Sequence, residues 1–158
     1  MKRLLSFIFI SLISLIVLSQ TYIYKKNSNY NTDLIYIYSN GKIYEGRYMY
    51  KEYVKYTYAN GKLYKGDNTY SENIIATYKN GKIYKGNSTY ESNCVGKIKG
   101  KYIYYNNHGA FIPLMRFENN KVYKGQTPYN SNIIMNYKGN LPPLVMCLTA
   151  INIWRFLL

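Results

Sequence analysis

Tyr58-Ala59-Asn60-Gly61-Lys62-Leu63-Tyr64-Lys65-Gly66 contains the turn whose reading decides the fold. Asn-Gly between β-forming residues is the strongest short hairpin signal, because a two-residue type I′ turn needs positive φ at both central positions. The pattern recurs twenty residues later as Tyr78-Lys79-Asn80-Gly81-Lys82-Ile83-Tyr84-Lys85-Gly86. Twenty residues earlier it reads Tyr38-Ser39-Asn40-Gly41-Lys42-Ile43-Tyr44-Glu45-Gly46. Worn copies follow at Ile98-Lys99-Gly100-Lys101-Tyr102-Ile103-Tyr104, at Phe117-Glu118-Asn119-Asn120-Lys121-Val122-Tyr123-Lys124-Gly125, and at Tyr137-Lys138-Gly139-Asn140. A partial copy starts at Ile23-Tyr24-Lys25-Lys26. Six units of about twenty residues therefore run from about Tyr22 to Asn140.

The turn also sets which side chains share a face. With two residues in the turn, Tyr78 stands opposite Ile83, and Ile74 is expected on the same side because side chains alternate with period two. The triplets are Leu34, Tyr38, Ile43; Val54, Tyr58, Leu63; Ile74, Tyr78, Ile83; Cys94, Ile98, Ile103; and Pro113, Phe117, Val122, with Ile133 and Tyr137 in the last unit. None is charged, so this face is expected to be buried. Thr57, Thr77 and Lys97 mark the other face, with one tyrosine per unit at Tyr44, Tyr64, Tyr84, Tyr104 and Tyr123. The expectation is an all-β protein of six tandem β-hairpin repeats, forming either an open meander or a closed ring. The motif lapses between Asn106 and Pro113, where a kink or a functional loop is expected.

Two resemblances attach to these residues. Tyr-x-Asn-Gly-Lys-Leu-Tyr-Lys-Gly resembles the membrane occupation and recognition nexus (MORN) repeat, although the Gly-x-Gly pair that separates those units is absent. The stretch Lys82-Ile83-Tyr84-Lys85-Gly86-Asn87-Ser88-Thr89-Tyr90-Glu91-Ser92-Asn93-Cys94-Val95-Gly96 is similar to small bacterial tandem-repeat proteins of the four-fold β-flower class. Six units exceed a fourfold count. The likeness implies a repeat β fold and an apolar C-terminal tail, and it brings no catalytic residues.

The two ends differ from the middle. Residues 1–19 start with Lys2 and Arg3 and continue as a mostly apolar run from Leu4 to Leu18. That is the form of a secretory leader, and the run is short for a spanning helix. A signal peptide or membrane anchor is expected at 1–19, a repeat domain at 20–140 and an apolar tail at 141–158. Leu141-Pro142-Pro143 stops the last strand, and Pro143 suits a helical first turn. The tail is expected to form a capping helix over the last hairpin or one sheet face. The alternative is a membrane-surface or partner-binding helix, with Trp154 and Arg155 at the interface.

Composition narrows the function classes. The chain has 22 Tyr, 21 Lys plus Arg, 7 Asp plus Glu and one His, with a formal net charge of +14. His108 has no nucleophile and supporting carboxylate in a suggestive motif, so no enzyme is expected and no catalytic residue is named. Two cysteines and one histidine make no metal site, and no cofactor motif is present. Cys94 occupies a small apolar slot, and pairing with Cys147 would staple the tail to the sheet in an oxidising compartment.

The reading is a non-enzymatic exported repeat protein, a structural or interaction module at the cell envelope, secreted or membrane-tethered. The lysines either block sheet edges and keep the sheet soluble, or meet anionic surfaces. In the second case a sugar or anionic polymer would meet a ligand surface of Tyr24, Tyr44, Tyr64, Tyr84 and Tyr123, with Lys65, Lys85 and Lys124 beside it. An envelope protein is the other candidate partner, and the N-terminal segment is expected to associate with membrane. Nucleic-acid binding has the charge and the aromatics, and the leader argues against it.

Overall fold

A computed structural model describes residues 19–150. The expected leader, and Trp154 and Arg155 of the tail, lie outside the described residues.

Twelve antiparallel strands close into a barrel in sequence order, and the first pairs with the last. Each unit supplies two strands, one of four to six residues and one of six to nine. The short strands are β1 (Thr21–Lys25), β3 (Lys42–Glu45), β5 (Lys62–Lys65), β7 (Lys82–Lys85), β9 (Tyr102–Asn107) and β11 (Lys121–Lys124). The longer ones are β2 (Leu34–Ser39), β4 (Val54–Ala59), β6 (Ile74–Lys79), β8 (Cys94–Lys99), β10 (Ala110–Glu118) and β12 (Ile133–Lys138). Asn40, Asn60 and Asn80 have φ near +50°, and Gly41, Gly61 and Gly81 have φ of +73° to +77°, as the type I′ reading requires. Asn119 and Asn120 take φ of 51° and 58° without a glycine. Closure removes the unpaired edges that an open meander would expose.

The two ends of the barrel differ. One carries the tight turns. The other carries longer loops, each ending in a turn of 3-10 helix, at 31–33, 51–53, 71–73, 91–93 and 130–132. The sixth connection at this end is the lapse in the motif. It is a tight hairpin rather than a kink or a loose loop: β9 and β10 extend to Asn107 and Ala110, and His108-Gly109 make the turn with φ of 49° and 93°.

The pairing partners Tyr38 and Ile43, Tyr58 and Leu63, and Tyr78 and Ile83 face the interior as expected. The first member of each triplet does not. Every long strand has a β-bulge at its second or equivalent residue: Ile35, Lys55, Ile75, Val95, Leu114 and Ile134. One extra residue reverses the alternation. Leu34, Val54, Ile74, Cys94, Pro113 and Ile133 therefore sit beside Tyr24, Tyr44, Tyr64, Tyr84, Tyr104 and Tyr123 on the outer wall. The bulged Ile35, Ile75, Val95, Leu114 and Ile134 pack on the core instead. Gly46, Gly66, Gly86 and Gly125 donate backbone N–H to the bulge carbonyls of Ile35, Lys55, Ile75 and Leu114, at 2.8–2.9 Å.

A barrel of about eight strands is filled by its own side chains; twelve leave a wider lumen. Here the lumen holds helix α1, Pro143–Ala150. Leu144, Val145, Met146, Cys147 and Leu148 are consecutive and 0–5% exposed. Five consecutive residues point all round a helix of 3.6 residues per turn, so the helix is enclosed on every side. It shares one core cluster with Ile23, Ile43, Leu63, Ile83, Ile103 and Val122, one from each unit. The described part of the tail is thus an axial plug and not a cap on one face. Barrels of about this strand number are known to enclose a helix. Gly139 (φ +117°) is the pivot into the lumen; a Cβ there would lie 2.6 Å from Thr21 Oγ1. At the far end Thr149 and Ala150 lie beside Lys25, Tyr36 and Glu45, so the described helix runs from the tight-turn end to the loop end. Thr149 donates its hydroxyl to the Val145 carbonyl at 2.9 Å, which satisfies it within an apolar surround.

The plug also separates the cysteines. Cys147 is on the axis, within electrostatic reach of Tyr78, whereas Cys94 is on the outer wall beside Tyr84. Both thiols are free and buried, so the pairing considered from sequence does not form.

Tyr36, Tyr38, Tyr58, Tyr78 and Tyr137 pack against the core, and desolvation by burial raises the pKa of each above the ordinary value of 10.0. Below pH 10 these phenols are protonated in folded and unfolded chains alike, and they leave stability unchanged. Above it the unfolded chain releases their protons first, so stability falls as pH rises through that range. In an alkaline titration, much of the tyrosinate absorbance is expected to appear together with loss of the β-sheet circular dichroism. Complete tyrosine ionisation with the sheet intact would contradict an enclosed set of phenols.

Candidate functional site: the loop face

The tyrosines singled out from sequence do not form an exposed row. Tyr24, Tyr64, Tyr84 and Tyr123 are only 5–7% exposed, and Tyr44 is half-buried. Each faces an apolar partner across the outer wall, and the loops fold back over that wall. Thr57 and Thr77 donate their hydroxyls to the Gly66 and Gly86 carbonyls at 2.8 and 2.7 Å. Lys82 pairs with Glu91 of the following 3-10 turn at 2.6 Å, and Lys42 pairs with Asp67 in the β5–β6 loop of the next unit. Lys65, Lys85 and Lys124 are exposed at the strand ends where the loops begin. The lysines are therefore available to a partner and the buried tyrosine rings are not.

A different set of tyrosines is exposed. Tyr30, Tyr50, Tyr70, Tyr90 and Tyr129 are 63–78% exposed. Each immediately precedes a 3-10 turn, with extended backbone. In each case its carbonyl accepts the N–H of the residue three on, at 2.9–3.0 Å. A polar staple holds most of these loops. Asn73 donates its amide to Asn68 at 2.6 Å, Asn93 to Ser88 at 2.8 Å and Asn132 to Thr127 at 3.0 Å. Ser28 donates to Asp33 at the same place in the first unit. Residue 28, 68 or 88 also accepts the tyrosine N–H, as Asn and Ser do in Asx and ST turns. Sequence reasoning overlooked this set although it keeps the twenty-residue period from Tyr30 to Tyr90. The signal was there in the polar residues Asn, Ser and Thr that flank each of Tyr30, Tyr70 and Tyr90: a large ring among turn formers has no core to enter.

The second unit departs from its siblings. Tyr48 and Tyr53 replace the polar staple, and with Tyr50 they form an exposed cluster. The ring centroids are 5.9 Å (Tyr48 to Tyr50), 6.0 Å (Tyr48 to Tyr53) and 6.3 Å (Tyr50 to Tyr53) apart.

The other irregular place is a cleft of about 470 Å³ under the β9–β10 hairpin, lined by Glu91, Cys94, Asn106, His108 and Phe111 among others. Asn106 donates to the Cys94 carbonyl at 2.6 Å and accepts the Gly109 N–H at 2.9 Å, so it holds the hairpin in place. Burial raises the Cys94 thiol above its ordinary range, and its S–H points to the Gly96 carbonyl at 3.5 Å. A protonated thiol committed to a carbonyl is a poor nucleophile. Among the described residues no three His, Cys, Asp or Glu side chains converge on a metal position. No described helix is long and apolar enough to cross a membrane.

The fold and its surface define a class: a closed ring of six hairpin units, filled by the chain's own helix, with aromatic loops at one end. Residues 16–152 match the 6-fold beta flower protein family, and the chain belongs to it. The count of six replaces the four-fold class suggested from sequence, and the match gives the MORN likeness no support. Neither the curated proteins nor the solved structures contain a match.

Proposed function

We propose that this protein is a non-enzymatic structural and interaction module of the cell envelope, and that its loop face makes the contact with a partner. The observation that carries this reading is the set of five loop tyrosines, repeated on one local geometry and left mostly in solvent. Repetition at that level of exposure stabilises no core, and tyrosine is a residue enriched at recognition surfaces. Helix α1 fills the middle of the lumen, and a cleft of about 530 Å³ opens at its loop end beside Thr149 and Ala150. The leader-like residues 1–19 support export or tethering.

Fractionation of the tagged full chain tests both parts. The wild type is expected in the envelope or secreted fraction, in a cross-linkable assembly. Replacing Tyr30, Tyr50, Tyr70, Tyr90 and Tyr129 by Ser is expected to abolish that assembly with little change in Tm, because these exposed rings leave the barrel core untouched. Recovery in the cytosol alone would overturn the envelope role. An assembly that survives the five substitutions would overturn the loop face.

A further inference from the structure

The repeat is its own control. At the positions of Tyr48 and Tyr53, the units of known loop staple carry Ser28 and Asp33, Asn68 and Asn73, Ser88 and Asn93, and Thr127 and Asn132. Of the five loops with a 3-10 turn, only the second gives up that hydrogen bond, and it gives up both ends together. In exchange it presents three tyrosines and Met49, 38–63% exposed. A loop that needed only to close would keep the staple its siblings keep.

The surroundings indicate what such a surface meets. Arg47 is exposed, and the Lys51 side chain is 85% exposed with its nearest carboxylate at 4.0 Å. Glu52 follows Lys51 and Asp67 stands 4.0 Å from the Lys51 ammonium, in a chain of net charge +14. The rings are phenols and the only aliphatic companion is Met49, so the patch is too polar for insertion into lipid acyl chains. Other loops, such as Asn27-Ser28-Asn29-Tyr30-Asn31-Thr32, surround a tyrosine with amides and hydroxyls. Tyrosine with Ser and Asn is the composition of surfaces that combine flat contact area with adaptable hydrogen bonding. Flat rings, many hydrogen-bonding groups and exposed cations suit a hydroxylated, negatively charged, linear ligand. A repeating ligand can also engage several repeated loops at once.

We propose that Tyr48, Tyr50 and Tyr53, with Arg47 and Lys51, form the principal binding site for an acidic polysaccharide. This rests on the loop face being the contact surface, and it assigns the partner's chemistry and the unit that dominates.

The test measures binding of the purified protein to polygalacturonate fragments, with neutral dextran, anionic phospholipid vesicles and oligo-dT as comparison probes. The key variant is Tyr48→Ser with Tyr53→Asn, which installs the Ser88 and Asn93 staple in the second loop. Its Tm is expected to equal or exceed that of the wild type, so lost binding cannot be lost folding. Polygalacturonate binding is expected to weaken about tenfold or more, as removal of stacking rings does elsewhere. It is also expected to weaken with salt and to exceed dextran binding. Equal binding by the variant, or preference for vesicles or oligo-dT over polygalacturonate, would overturn the assignment. If no polysaccharide binds while the fractionation assembly still depends on the loop tyrosines, the ligand class falls and the loop-face reading stands.

Discussion

A chain ending at Leu141 is expected to lose the barrel along with its tail. Leu144, Val145, Met146, Cys147 and Leu148 are 0–5% exposed inside the ring. Burial of one such side chain contributes roughly 1.5–3 kcal/mol, so the five together contribute on the order of 10 kcal/mol. A domain of this size is stable by only about 5–15 kcal/mol. Removing the plug also leaves Ile23, Ile43, Leu63 and their counterparts facing an empty, apolar lumen. Val145→Asp should act similarly in the full-length chain, because an unpaired buried carboxylate costs several kcal/mol and Val145 is completely enclosed. Urea unfolding followed by circular dichroism provides the measurement. A cooperative transition at the wild-type midpoint in either variant would show that the helix is an accessory and not a core.

Gly41→Ala should be the most damaging of the conservative turn substitutions. Two terms add. A non-glycine residue at φ +76° costs about 1–2 kcal/mol. The new Cβ would also lie 2.7 Å from the Tyr58 carbonyl oxygen, and overpacking against backbone costs typically 1–3 kcal/mol. A loss of about 3 kcal/mol is expected. Gly46→Ala separates the terms, since Gly46 has φ +80° with nothing within 4 Å of its Cβ position. It should lose only about 1–2 kcal/mol. Equal losses in thermal or urea unfolding would remove the close approach as a cause. That approach arises because the Tyr58 N–H donates to the Gly41 carbonyl at 2.6 Å, so each turn is also a docking point for the next hairpin.

The hairpins were legible because their signal is local: Asn-Gly fixes a turn, the turn fixes the pairing, and Tyr58 meets Leu63 as read. The bulge was not, since Lys55, Ile75 and Val95 look like ordinary alternating strand residues. It is set by non-local pairing, where the following loop glycine donates to the bulge carbonyl. That one slip moved Val54, Ile74 and Cys94 to the outer wall and buried Tyr64 and Tyr84 against them. The candidate ligand surface was misplaced for the same reason. Barrel closure and the position of the apolar tail were equally beyond a local reading. A fully apolar helix signals enclosure, and only the strand count shows that there is a ring wide enough to enclose it.

The seam of the ring has a kinetic consequence. Thr21 donates its hydroxyl to the Asn140 carbonyl, 119 positions away, and the stretch that fills the centre comes after that. A partly synthesised chain can form single hairpins, but it has neither its closing strand nor its hub. Commitment to the native state must therefore await nearly the whole polypeptide, and such distant pairing is slow. A ribosome or a translocation pore would hold this chain as separate, reversible ribbons until β12 and helix α1 have emerged and let the wheel assemble around its axle.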